Sequence, residues 1–200
     1  MNYKNWGSTT PPLLSVCYSK GYKVFDGDRD YDLNLIGVRS DARVAGNFDD
    51  RFYVIYKELG QWIQEDYECT TDPSAEQHLN PTNERGVAIL KPAQYRGVWK
   101  LDMHAGKYLA LCQRGAVVTV YRDRNRDRVA DYVNEDTGWF GINCHRAHPY
   151  KLVSSTRYYS AGCQVIRSPV DFARLLSLCT LQAENGLGDT YTYTLLHNRV

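Results

Sequence analysis

The chain has 200 residues, long enough to bury a hydrophobic core without disulfides or a structural metal, and its length predicts a single domain over residues 1–200. Its hydrophobic content of 43% is that of an ordinary globular protein, which argues against disorder. The formal net charge of +1 gives no electrostatic basis for binding nucleic acid or an anionic membrane surface, so neither is a predicted partner.

The six cysteines are scattered along the chain without a CxxC pair, unlike the dense frameworks of small secreted domains. We interpret them as reduced thiols of a protein made in a cytoplasm. The N-terminal segment MNYKNWGSTTPPLL lacks the basic region and long apolar stretch of a signal peptide. No apolar run approaches the length of a membrane span. Any action outside the cytoplasm therefore requires release by another protein.

Short segments rich in tyrosine, threonine and aliphatic residues predict a mainly β fold. The predicted strands are 22–25, 33–38, 52–56, 61–69, 86–90, 98–101, 108–113, 116–121, 142–145 and 190–196. The dipeptide Arg114-Gly115 predicts a tight hairpin turn that pairs 108–113 with 116–121.

One helix is well signalled near the C-terminus. Ser168 can cap its first turn, and Asp171 favours the positive end of the helix dipole. Apolar residues then recur at helical spacing until Asn185-Gly186, which ends the helix. A shorter helix over 13–20 also fits the pattern. Together these elements predict a mainly β sandwich or barrel with one packed C-terminal helix.

The candidate catalytic residues lie in residues 141–166, GINCHRAHPYKLVSSTRYYSAGCQVI. Cys163 ends a turn of small residues, which lets a substrate approach the backbone and leaves the N–H groups of Gly162 and Cys163 free to bind an oxyanion. A thiol becomes a strong nucleophile beside a base or a positive potential that lowers its pKa. His145, on a predicted strand, is the candidate base, and a catalytic Cys163 is expected to have a low pKa.

Asn143 lies two residues before His145, so on a strand both side chains share one face. Asn143 is a candidate to orient the imidazole, and a backbone carbonyl is an equal alternative for that role. Cys163 has a structural alternative too, because free cysteines are often buried core residues. We assign that structural role to the other five cysteines.

These residues resemble the catalytic motif of the bacterial L,D-transpeptidases, in which a His precedes a Ser/Thr-His-Gly-Cys motif. The matching positions are His145, followed by Ser160, Gly162 and Cys163. The resemblance covers residues 141–166 and implies that His145 is the base and Cys163 the nucleophile of a β-rich catalytic domain. It also implies a substrate in bacterial peptidoglycan.

Two positions depart from the family motif. Ala161 stands where the family has His, and Val165 stands where it has Asn or Arg. Gln164 and Arg167 are candidates to replace these polar groups in substrate binding. The segments GINCHRA and SAGCQV also resemble a group of phage-encoded lytic proteins, or endolysins, that contain an L,D-transpeptidase-like domain.

The endolysin resemblance implies a peptidoglycan peptide hydrolase that is stored in the host cytoplasm and acts at the cell wall after release. We expect the protein to be a monomer. The alternatives are a true L,D-transpeptidase, which would cross-link stem peptides, and a non-catalytic phage structural or binding module. A reactive thiol is the property that separates the enzymes from the module.

Further residues are candidates to bind substrate. His104 lies beside a predicted turn, where Lys107 or Arg96 could attract a carboxylate of the stem peptide. A plain surface histidine is the alternative interpretation. Tyr159 precedes the nucleophile turn and could form a wall of the cleft, or pack on the core.

A second polar cluster has the spacing of a calcium loop. Asp123, Asn125, Asp127 and Asp131 stand at positions 1, 3, 5 and 9 of such a loop. Arg128 stands where the loop requires glycine, and arginines alternate with the acidic residues. We predict a charged, solvated turn, with calcium as the alternative and no other cofactor.

Overall fold

Twelve strands and three helices form the fold in a computed structural model, which is described for residues 1–198. The strands are β1 (Asn2–Gly7), β2 (Asn34–Arg39), β3 (Asp50–Glu58), β4 (Gln61–Thr70), β5 (Val87–Leu90), β6 (Gln94–His104), β7 (Tyr108–Gln113), β8 (Val118–Asp123), β9 (Glu135–Gly138), β10 (Cys144–Arg146), β11 (Gln164–Ile166) and β12 (Thr190–His197). The helices are α1 (Pro12–Ser19), α2 (Ala75–Leu79) and α3 (Pro169–Glu184). Strand makes up 39% and helix 15%, which confirms the predicted mainly β class.

Eight of the strands close into a barrel. Their order is β4-β11-β10-β7-β6-β12-β2-β3, and β3 pairs back to β4. β1 pairs with β4 outside this ring, while β5, β8 and β9 form a separate three-stranded sheet. The neighbours β10 and β11 run parallel, so the chain must cross over between them. That crossover, residues 147–163, joins the two parts of the candidate site.

Large aromatic side chains fill the barrel. The rings of Phe52, Trp99 and Tyr193 stack with centroids between 4.4 and 6.4 Å apart, and all three are buried. Gly37 on β2 makes room for this stack, because a Cβ there would overlap the Tyr193 hydroxyl. Tight packing of this kind fixes the strands that carry the site.

Helix α3 contributes to the same core, which confirms the predicted C-terminal helix. Ser168 Oγ accepts a hydrogen bond from the Asp171 N–H at 3.2 Å, as the capping signal predicted. The buried residues on its apolar side are Phe172, Leu175, Leu178 and Cys179. In residues 1–198 no helix is long and apolar enough to cross a membrane.

A buried carboxylate also ties α3 to the barrel. Glu65 on β4 is 1% exposed and accepts hydrogen bonds from Arg174 on α3 and from the hydroxyls of Tyr56 and Tyr67. Burial acts to raise the pKa of Glu65, but these donors outweigh it and the pKa lies below its ordinary value. The ionised carboxylate is therefore fully paired, as burial requires.

The predicted strand at 22–25 is wrong. This segment is irregular because its backbone is satisfied by side chains: the Lys23 N–H donates to Gln94 Oε1 and the Phe25 N–H to Asn34 Oδ1, both at 2.9 Å. The sequence signal also missed β1, β9, the short β11 and the short α2. β1 and β9 are largely polar and exposed, so neither has an apolar alternation to detect.

The predicted hairpin through Arg114-Gly115 is wrong as well. β8 pairs with β5 and β9, whereas β7 pairs with β6 and β10. The N–H groups of Arg114 and Gly115 both donate to the Val98 carbonyl at 3.1 Å. The dipeptide therefore continues the contact of β7 with β6, and a Cβ at Gly115 would overlap the Gly97 carbonyl.

Candidate active site

The parallel strands β10 and β11 bring the candidate base and nucleophile onto one face. His145 pairs with Val165, and the Gln164 N–H donates to the Asn143 carbonyl at 2.8 Å. Paired residues of parallel strands point to the same side, and side chains alternate along each strand. Cys163, two residues before Val165, therefore lies on the face of His145. In residues 1–198 no hydrogen bond joins Cys163 to His145.

The His145 ring is held in one tautomer. It is 5% exposed, and its Nδ1–H donates to the Arg146 carbonyl at 2.9 Å. A carbonyl only accepts, so Nδ1 carries the hydrogen and Nε2 keeps its lone pair. Burial lowers the pKa of His145 to about 4, so the imidazole is neutral at neutral pH. Such a ring can act as a general base through Nε2.

His104 packs on the base candidate. The two imidazoles stack with centroids 4.4 Å apart and planes inclined by 26°. Asn143 Nδ2 donates to His104 Nδ1 at 3.1 Å, and Asn143 Oδ1 accepts the Gln113 N–H at 2.8 Å. Of the two candidates to orient His145, the backbone carbonyl has that contact, while Asn143 orients His104.

The thiol of Cys163 differs from the other five. Cys163 is partly exposed and its Sγ donates to the Gly141 carbonyl at 3.4 Å. The remaining cysteines are buried, as predicted: Cys17, Cys69, Cys112, Cys144 and Cys179. Burial of the sulfur raises the pKa of Cys163 to about 11, only partly offset by the Asn143 N–H. The expected low pKa is therefore wrong for the resting site, where the thiol is protonated.

Ser160 shapes the nucleophile turn. Its Oγ donates to the Cys163 carbonyl at 2.8 Å and accepts the Gly162 N–H at 3.1 Å. The Gly162 N–H is thus engaged, which corrects its assignment as an oxyanion donor. The Cys163 N–H has no acceptor among residues 1–198 and stays free to bind an oxyanion.

We predict that Gly162→Ala destabilises the fold by roughly 2 kcal/mol or more. Gly162 has φ +135°, and a Cβ would lie 2.5 Å from the Ala88 carbonyl oxygen, a backbone atom that cannot move aside. Urea denaturation measures the loss. Gly106→Ala is the matched control, since Gly106 has φ +68° in open space and isolates the cost of positive φ, about 1 kcal/mol. Equal losses in the two variants would contradict the predicted backbone clash.

Gln164 is wrong as a substrate-binding residue. It follows Cys163 on the alternating strand and points into the barrel, where it is fully buried. Its Oε1 accepts the Tyr193 hydroxyl at 2.8 Å and its Nε2 donates to the Gly162 carbonyl at 3.3 Å. Gln164 therefore supports the nucleophile turn from inside.

Arg167 holds the crossover in place, and Tyr159 lines its surface. Arg167 donates to Glu68 at 2.6 Å and to the Val153 carbonyl at 2.8 Å, so its guanidinium already has protein partners. Tyr159 is partly buried, and its N–H donates to the Thr156 carbonyl at 2.8 Å. Tyr159 lines a depression on the crossover itself, together with His148 and Lys151.

Two residues of this region were not singled out from the sequence. Tyr108 pairs with His104 across β6 and β7, with ring centroids 5.4 Å apart. The guanidinium of Arg146 lies 4.0 Å from the centre of the Tyr108 ring. Arg146 follows His145 directly in the chain, and that adjacency was the one available signal. Nothing local in the sequence marks Tyr108.

A cleft of about 290 Å³ opens beside the nucleophile turn. Ala161 lines it, together with the aromatic residues Trp139 and Phe140. Gly141, whose carbonyl accepts the Cys163 thiol hydrogen, follows Phe140 directly. Neither Cys163 nor His145 is among the residues that line this cleft.

Comparison with protein-family models, with curated proteins and with solved structures finds no match for this chain. Its function is therefore inferred from the geometry of the site together with the motif of residues 141–166.

The acidic loop after β8 is held by its own donors. Asn125 Nδ2 donates to Asp127 at 3.0 Å and Asp131 at 2.9 Å, and Arg43 pairs with Asp131 at 2.7 Å. Asp123 is buried and accepts the N–H groups of Asn125 and Asp131. An amide and a guanidinium point at the carboxylates, so this arrangement does not fit a calcium ion. Within residues 1–198 no group of His, Cys, Asp or Glu is arranged to hold a metal.

Proposed function

We propose that this protein is a cysteine-dependent hydrolase of peptidoglycan peptides, of the endolysin type, built on an L,D-transpeptidase-like barrel. The observation that carries the proposal is the β10–β11 pairing. It places the partly exposed thiol of Cys163 on the same face as His145, a neutral imidazole oriented by a backbone carbonyl. The substrate class comes from the motif shared by His145, Ser160, Gly162 and Cys163.

In this mechanism His145 Nε2 takes the proton of Cys163 as Sγ attacks a peptide carbonyl. The Cys163 N–H donates to the oxyanion that forms. The imidazolium then gives its proton to the departing amine, the C–N bond breaks, and a thioester remains. Water attacks the thioester while Nε2 again accepts a proton, which returns the thiol and releases a carboxylic acid.

The surroundings of the thiol favour hydrolysis over transfer. A transpeptidase must hold an acceptor amine and exclude water. Ala161, exposed at the cleft, offers no polar side chain to an acceptor, and Val165 is buried beside His145. Both positions carry polar residues in the family motif. A true L,D-transpeptidase is therefore the less favoured enzyme.

A non-catalytic binding or structural module is the second candidate. The raised pKa of the Cys163 thiol favours it, because a protonated resting thiol is a weak nucleophile. The oriented imidazole favours the enzyme, since a binding module has no use for a base in one fixed tautomer on the face of the thiol.

Incubation with peptidoglycan fragments and a free amine acceptor, followed by mass spectrometry, tests the proposal. We expect shortened or unlinked stem peptides and no new cross-links, because Ala161 and Val165 offer no polar group to hold an acceptor amine. Preferential incorporation of the amine would replace hydrolysis by transpeptidation. Binding of the fragments without any change in peptide mass would identify a binding module.

A further inference from the structure

Arg146 presents an unpaired guanidinium at the candidate site. Its Nε is buried without a hydrogen-bond partner, and no carboxylate of residues 1–198 lies within ion-pair distance of the guanidinium. The buried arginines Arg39 and Arg122 pair with Asp72 and Asp136 at 3.0 and 3.1 Å. A partly buried cation without a partner costs free energy, which a bound anion would recover.

The position of Tyr108 connects this guanidinium with the candidate base. The Arg146 guanidinium lies over the Tyr108 ring, which holds its planar group in one orientation. The Tyr108 ring also packs against His104 with centroids 5.4 Å apart, and His104 stacks on His145 with centroids 4.4 Å apart. The rings of Tyr108, His104 and His145 thus form a continuous row of contacts that ends at Arg146, and an anion on Arg146 would lie near the candidate base, on the face that carries Cys163.

The neighbouring charges reinforce an anion site. Lys107 lies in the turn before Tyr108 and has no ion-pair partner within residues 1–198. The nearest carboxylate on β6, Asp102, is paired with Arg114 at 2.7 Å. Arg96, the other cation expected to attract a carboxylate, lies eight residues from His104 along β6, on the order of 25 Å away.

We propose that Arg146, supported by Tyr108, binds a carboxylate of the substrate next to the scissile bond. This inference rests on the proposed function and names the substrate class within it, peptides with a free carboxylate at that position. Two groups of a stem peptide have this chemistry: a C-terminal carboxylate and the side-chain carboxylate of a diamino acid. A guanidinium suits it because it can donate two parallel hydrogen bonds to one carboxylate.

Alkylation of Cys163 tests the anion site without any peptidoglycan. Sγ displaces iodide from iodoacetate or from neutral iodoacetamide, forming an S–C bond as the thiol proton goes to solvent. We expect Arg146→Gln to slow modification by iodoacetate about tenfold, since one charge-assisted contact is lost, and to change the iodoacetamide rate by less than about twofold. Peptide mass spectrometry assigns the modification to Cys163.

Two further variants make this comparison specific. Arg146→Lys keeps the charge and should stay within about threefold of wild type for iodoacetate. Arg96→Gln removes the same charge at a remote site and should leave both rates unchanged. The proposal would be overturned if Arg146→Gln slowed alkylation by both reagents equally, or by neither. In both cases the ratio of the iodoacetate rate to the iodoacetamide rate would match that of wild type.

Stem peptides amidated at one carboxylate at a time identify which carboxylate binds. Arg146→Gln should raise KM about tenfold for peptides that retain the recognised carboxylate, with a smaller change in kcat. Amidation of that carboxylate should abolish the difference between variant and wild type. A KM effect that persists with both amidated peptides would contradict carboxylate binding. A protein that cleaves no peptide but keeps an Arg146-dependent iodoacetate preference would refute the proposed function and leave the anion site standing.

Discussion

Cys163→Ala is expected to abolish the release of stem-peptide fragments from peptidoglycan, with a loss of at least about 10⁴-fold, while the protein stays folded. The thiol is the group that forms the acyl intermediate, and no other described cysteine is accessible to substrate. Its removal costs one weak hydrogen bond to the Gly141 carbonyl, about 1 kcal/mol or less. Product release by mass spectrometry and thermal denaturation measure the two effects separately.

Cys179→Ala provides the matched control. Cys179 is fully buried in α3, so its truncation leaves a small cavity and should cost roughly 1 kcal/mol while activity persists. The two variants thus separate chemistry from packing. Digestion at nearly the wild-type rate by Cys163→Ala would end the assignment of Cys163 as the nucleophile.

Local signals in the sequence predicted the elements whose cause is local. The cap at Ser168 and the terminating Asn185-Gly186 determine α3, because the groups involved lie within a turn of each other. The partner of β8 is not a local property. Arg114-Gly115 has the composition of a hairpin turn, but β8 pairs with β5, which precedes it by almost thirty residues. Packing of the whole fold decides which strands pair over that distance, and the residues of a turn do not indicate the result.

The sequence proposed His145 and Cys163 as a pair, and the structure places them on one face, but most contacts around the pair were not predicted. The alternation of strand side chains would have placed Gln164 inside the barrel, had the residues after Cys163 been recognised as β11 rather than as a turn leading to the helix. The stacking of His104 on His145 depends on how β6, β7 and β10 are arranged, and no spacing in the sequence encodes it.

Burial explains why the expected thiol pKa was wrong. The sequence places a base and a thiol in one motif, which suggests an ion pair at rest. The structure desolvates both groups, so the pKa of Cys163 rises to about 11 and that of His145 falls to about 4. Neutral thiol and neutral imidazole are the resting forms, and proton transfer must accompany attack on the substrate.

This neutral pair predicts a characteristic pH dependence. Peptide hydrolysis should rise as pH increases through about 4, where His145 loses its proton and becomes a base, and then stay flat across neutral pH. Alkylation of Cys163 by iodoacetamide without substrate should instead keep rising toward pH 11, because that reaction consumes the thiolate. His145→Gln should lower hydrolysis by roughly 10³-fold or more and remove the acidic limb.

The loss of hydrolysis at acidic pH must be distinguished from a loss caused by unfolding of the protein. The folded pKa of His145 is depressed below the ordinary value of 6.5, so the unfolded chain binds its proton first and stability falls as pH drops from 6.5 toward 4. Circular dichroism at each pH identifies the range in which the fold is intact, and His145→Gln, which lacks this linkage, is the control. Within that range, an alkylation rate that reaches a plateau near neutral pH would show a thiolate–imidazolium pair at rest. Cys163 would then be activated before substrate binds, and His145 would act first as the acid that protonates the departing amine.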